Sequence, residues 1–118
     1  MANSIANESD LPRAEVIARL NDRLRTTGVG GVVMITQNVR RISGFDTFML
    51  GTALADYREF DFDNDPHGER DFGYLKLWGQ NLVWMIDYYD KSLKFGSPDP
   101  ADPRITRRAL TVMLMTEW

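Results

Sequence analysis

The 118-residue chain is 43% hydrophobic, contains no cysteine and has a formal charge of -3. That composition supplies one ordinary domain with a core that needs no disulfide or metal staple, argues against disorder of the whole chain, and excludes thiolate catalysis and zinc–sulfur centres. With no basic-then-apolar leader and no apolar run of membrane-spanning length, the expectation is a cytoplasmic protein without a membrane partner.

Residues 1–10 are polar and aperiodic and read as a flexible leader, with residues 11–118 as one α+β domain. Pro12 suits a first helical turn, and Val16, Leu20 and Leu24, widened by Ile17, give a helix one apolar face as far as Arg25. Gly28 is its expected stop. Gly30-Gly31 then leads into a strand, Val32 to Thr36. Because these glycines precede the strand, they do not form the phosphate-cradling loop of a nucleotide site.

Ser43 is the expected cap of a second helix, Gly44 to Tyr57. Gly51 lies inside it at a cost of about 1 kcal/mol relative to Ala, which a close packing contact would explain. Phe72 to Trp78 and Leu82 to Tyr89 read as strands joined through Gly79-Gln80-Asn81, with Leu93 to Phe95 as a short edge strand. Asp102 and Pro103 open a terminal helix over residues 104–117, on the spacing of Ile105, Ala109, Val112 and Met113. The predicted architecture is a compact single layer of mainly antiparallel strands packed by about three helices, in the order α-β-α-β-β-β-α.

Charge is unevenly distributed. Residues 56–102 hold eleven Asp and Glu against five Lys and Arg, while the flanking segments are basic. Within the acidic centre, Asp61, Asp63 and Asp65 have the alternate spacing of a calcium loop, and a divalent cation is the one cofactor this cluster would suit. The match stops there: Pro66 stands where the loop needs glycine, and Phe72 where it needs glutamate. His67, Glu69 and Asp71 are also two apart, so an extended segment would turn them to one side. Joined by Asp87, they would form a carboxylate–histidine pocket for metal-dependent hydrolysis.

A second use of this region is noncatalytic. Trp84, Asp87, Tyr88, Tyr89, Asp90 and Asp99 combine aromatic contact area with carboxylates able to receive a basic protein partner. The leading expectation is accordingly a protein-interaction or regulatory module with an acidic aromatic surface. Metal-dependent hydrolysis is the alternative. Nucleic-acid binding through Arg40, Arg41, Arg104, Arg107 and Arg108, or acidic mimicry of nucleic acid, ranks below both, because phosphate affinity needs a convergent basic patch. Monomer and small homo-oligomer both stay open.

Several blocks are distinctive enough to compare with a known family. The run from Phe60 through Asp65-Pro66-His67-Gly68 to Phe72-Gly73 resembles the central signature of a small bacterial family, domain of unknown function 3768. Trp84 through Asp90, Gly96-Ser97-Pro98-Asp99-Pro100 and Thr106-Arg107-Arg108 extend that resemblance to roughly residues 11–118. It implies an alphaproteobacteria-like chromosomal or plasmid protein and brings no catalytic mechanism with it.

Overall fold

A computed structural model describes residues 11–118; the leader expected over residues 1–10 lies outside the described residues. Helix α1 (Arg13–Thr27) buries Ile17, Ala18, Asn21, Leu24 and Arg25. Gly28 ends it at φ 76°, with its N–H donating to the Leu24 carbonyl at 2.8 Å. Glycine reaches this left-handed conformation at little steric cost. Strand β1 (Gly31–Ile35) follows. A short helix α2 (Gln37–Arg40), capped by Thr36, was not expected. Helix α3 (Thr47–Asp56) starts later than predicted: its cap is Asp46, not Ser43, and Asp46 Oδ1 accepts from the N–H groups of Phe48 and Met49.

The hairpin is formed by β2 (Phe72–Leu77) and β3 (Gln80–Tyr89). Its turn is tighter than expected. Trp78 and Gly79 alone make it, at φ 53° and 72°, the two positive values that match a two-residue turn to the twist of its strands. Gln80 and Asn81 are already paired. Leu93–Phe95 does not add an edge strand; only a single bridge between Tyr89 and Gly96 forms there.

The largest correction is at the C-terminus, where the expected helix is a strand. Strand β4 (Arg107–Leu114) pairs antiparallel with β3 and parallel with β1, and the chain closes in a 3-10 turn, Met115–Glu117. Its sequence supports both periods. Leu110, Val112 and Leu114 alternate as cleanly as Ala109, Val112 and Met113 recur at helical spacing, and periodicity alone does not decide a short apolar run. Tertiary pairing decides it, because among the described residues β1 has no other neighbour. β4 is interior to the sheet, where near-continuous apolar sequence is ordinary.

The result is an α+β domain with a mixed four-stranded sheet in the order β1-β4-β3-β2 and three helices. Leu82, Trp84 and Ile86 of β3 and Leu110 and Val112 of β4 face a core completed by Leu24, Val39, Leu50, Leu54 and Tyr57. Side chains alternate along each strand, so Asp87, Tyr89, Ala109 and Thr111 turn to the other face. No described helix packs there. Nor is any described helix long and apolar enough to cross a membrane.

Candidate functional site

The acidic loop stabilises itself. Asp61 Oδ1 accepts from the N–H groups of Asp63 (2.9 Å) and Asn64 (3.0 Å), and Asp65 Oδ1 accepts from Arg70 N–H at 2.9 Å. These are Asx-type turns, in which a short carboxylate replaces a main-chain acceptor. His67 is exposed. Glu69 Oε1 accepts from the Tyr88 hydroxyl at 2.9 Å. Asp71 lies opposite Ile86, whose N–H donates to its carbonyl, and so shares the helix-covered side with Gly73. Asp87 is one residue out of phase and points through the opposite face.

The expected hydrolytic pocket is therefore divided by the sheet itself. Among the described residues, no group of three or more His, Asp or Glu is arranged to hold a metal ion. Asp61, Asp63 and Asp65 serve the loop's main chain or face solvent, and Glu69 and Asp71 lie near each other on the covered side, whereas Asp87 is on the opposite face.

The covered side instead carries a polar cluster that the sequence did not reveal. Asn21 is fully buried; its amide donates to the Tyr88 hydroxyl (2.8 Å) and the Glu69 carbonyl (3.0 Å), and its oxygen accepts from Arg108 Nε (2.9 Å). Arg108 also donates to the Pro100 carbonyl and lies over the Tyr88 ring. Burial lowers the Arg108 pKa and raises that of Tyr88. Beside this cluster, Arg70 bridges Asp22 (2.7 Å) and Glu15 (3.3 Å), joining the acidic loop to α1. Arg25 donates to the Leu54 and Tyr57 carbonyls at the end of α3. These bonds from Asn21, Arg70 and Arg25 clamp α1 to the sheet, with Arg25 Nε the one buried group of the three side chains that lacks a hydrogen-bond partner.

The arginines considered for phosphate contact are spread out: Arg108 is buried, Arg104 is paired with Asp102 at 3.0 Å, and Arg40 and Arg41 are exposed at the end of α2. Arg107 stays exposed on the opposite side of β4.

The interaction set is likewise redistributed. Trp84 is wholly buried, edge-on to Tyr57 at 5.4 Å between ring centroids, and contributes to no surface. Tyr88 turns its hydroxyl into the Asn21 cluster. Asp90 closes a turn by accepting from Ser92 Oγ, which lowers its pKa. Asp99 accepts from Arg13 and from Ala101 N–H. Asp87 and Tyr89 alone of the six reach the uncovered face.

That face is apolar over most of its area. Phe72 and Tyr74 come from β2, Met85 from β3, Met113 from β4, and Val32 and Met34 from β1. Tyr74 keeps 42% of its surface exposed. After the 3-10 turn, Trp118 folds back onto Phe72 and Tyr74, with ring centroids at 5.1 and 6.2 Å, and is itself 63% exposed. Glu117 holds that tail, accepting from Thr36 Oγ1 and Leu114 N–H. The signal for this face was present in the alternation of Phe72 and Tyr74 with Gly73 and Leu75; it was obscured by reading β4 as a helix, which left the sheet without its middle.

Residues 35–117 match the family described as Protein of unknown function (DUF3768). The chain belongs to this family. No curated protein and no solved structure matches it. The matched span of this DUF3768 member includes α2, α3, the hairpin and β4. It leaves outside α1, which supplies Asn21, Asp22 and Arg25 to the clamp, and most of β1.

Proposed function

We propose that this protein is a noncatalytic protein-interaction module whose working surface is the uncovered sheet face. The supporting observation is the aromatic group of half-buried Phe72 with exposed Tyr74 and Trp118, beside Met34, Met85 and Met113 on a face over which no described helix packs. Contiguous apolar surface of this kind marks interaction sites. Aromatic side chains provide large contact area at low entropic cost, and methionines adapt to irregular partners. Asp87 and Arg107 rim the face with opposite charges. The partner is accordingly a protein presenting an apolar segment with at least one basic group placed to meet Asp87.

The test is capture of binding proteins by the intact chain, followed by reconstitution with the purified partner. Trp118→Ala combined with Met85→Glu should weaken that reconstituted complex at least tenfold, while Asp63→Asn in the acidic loop leaves it unchanged. The opposite pattern would overturn the assignment and return the function to the acidic loop.

A further inference from the structure

We infer that the edge of β1, unpaired among the described residues, pairs with β1 of a second copy of the chain, antiparallel about Val33, to make a continuous eight-stranded sheet. The pairing surface is the main-chain edge of β1, which meets the uncovered face only through the Val32 and Met34 side chains. Thr36 N–H donates to the Val112 carbonyl, and main-chain groups alternate in direction along a strand. Val32 and Met34 therefore address β4, whereas the N–H and C=O groups of Gly31, Val33 and Ile35 point outward from the sheet.

Self-pairing fits this edge for three reasons. First, β1 has none of the devices that protect sheet edges: Gly31 to Ile35 contain no charge, no proline and no bulge. The other edge, β2, carries Lys76 and has Trp118 folded over Phe72 and Tyr74. Second, β1 exposes apolar side chains to both sides, with Val32 56%, Val33 42% and Met34 47% exposed. Third, the register closes. A two-fold axis at Val33 pairs Gly31 with Ile35 of the second copy and satisfies all three outward residues in each chain, with roughly six main-chain hydrogen bonds.

Side chains agree with that register. Val33 meets its own counterpart on the helix side, and Val32 meets Met34 of the second copy on the uncovered side, so no like charges are opposed. Thr36 falls opposite Gly30, where a Cβ would have nothing within 4 Å, which leaves room for the turn into α2. Strand pairing alone buries less than the roughly 1,200 Å² of a stable interface. Phe48 supplies more: it is exposed, and it lines with Val33 and Gly51 a cavity of about 470 Å³ beside β1. The two-fold brings both copies of this apolar margin together.

The measurement is sedimentation of the intact chain from about 1 to about 500 µM, the range in which small symmetric interfaces assemble. The mass should rise from 13.5 kDa towards twice that value. Val33→Pro removes an outward N–H without touching the β4 ladder, and Val33→Lys places a charge at the axis; each should hold the chain monomeric. Circular dichroism verifies that the variants fold. Met85→Glu, which disrupts the uncovered face, should leave the dimer intact, so failure of either proposal is seen separately. Amide exchange of the unmodified chain gives an independent reading: Gly31, Val33 and Ile35 should exchange at least tenfold more slowly at high concentration than at low. A monomer throughout, a dimer that survives both folded Val33 variants, or exchange at those amides independent of concentration would overturn the inference.

Discussion

On the helix-covered face, Arg108, Tyr88 and Glu69 converge on a fully buried Asn21, and Leu82, Trp84 and Ile86 are closed over by α1 and α3. One residue along the same strands, Asp87, Tyr89 and Met85 reach a face over which no described helix packs, with Val83 and Ala109 buried between them. The covered face thus sets a polar cluster beside an ordinary apolar core, and the other face leaves apolar groups exposed. Buried polar groups cost little when every partner is in place and much when one is removed, so the covered face should tolerate almost no change. The exposed apolar groups of the uncovered face, Met34 among them, stay accessible to water in the folded state and have little folding energy to lose. Stability and binding should separate by face.

Asn21→Leu would break that comparison most forcefully. It leaves Arg108 Nε, the Glu69 carbonyl and one side of the Tyr88 hydroxyl without their partner, and the loss should reach about 3 kcal/mol. Chemical denaturation of this variant beside Met34→Ser and Met85→Ser measures the contrast; the methionine variants should each cost less than about 1 kcal/mol. Comparable losses on both faces would mean that something covers the apolar side in the free protein.

Gly73→Ala should follow, at about 2 kcal/mol. A Cβ at Gly73 would stand 2.5 Å from both Trp84 Nε1 and the Tyr57 ring, two buried rings packed against each other. The thermal midpoint reports this directly, and a smaller aromatic in a double variant, Gly73→Ala with Tyr57→Leu, should recover part of the loss.

Acid titration resolves the covered face further, because two of its carboxylates work in opposite directions. For Asp22, burial raises the pKa, yet the Arg70 and Arg25 guanidiniums outweigh it and hold the group below its ordinary 3.8. Its contribution to stability is present above that value and is lost as pH falls through the lower folded value. Asp71 is raised above 3.8, chiefly by burial and then by Glu69. Its favourable, protonated form is complete below 3.8 and is lost as pH rises through the folded value. Asp22→Asn should therefore lower the melting temperature at pH 7 and flatten the acid limb. Asp71→Asn should raise the melting temperature at pH 7 and change it little at pH 3.

How far the sequence led differs between these same faces. Local signals placed α1, β1 and the hairpin, because Gly28, the Leu20/Leu24 spacing and the Trp84/Ile86/Tyr88 alternation are decided within a few residues. The clamp was not legible: Asn21, Glu69 and Arg108 are far apart in the chain, and nothing local distinguishes a buried arginine from a solvated one. The acidic centre was overread for the converse reason. Alternate carboxylates at Asp61, Asp63 and Asp65 are equally the mark of a loop that caps its own main chain. Reading β4 as a helix had the widest effect, since a sheet without its middle has no faces to compare.

The smallest expected effect tests whether the covered side is closed throughout. Gly51 in α3 invites the explanation that close packing excludes a side chain, but a Cβ there would have nothing within 4 Å. It borders instead the shallow cavity with Val33 and Phe48. With helical backbone and free space, Gly51→Ala removes only the entropic disadvantage of glycine and should stabilise the fold by about 0.5–1 kcal/mol. Equilibrium denaturation at low concentration measures this gain without contribution from association. A loss would show that this margin of the covered face is closed after all. A gain that grows with protein concentration would show the added methyl lying within the contact between two β1 edges, where Phe48 already places the apolar surface.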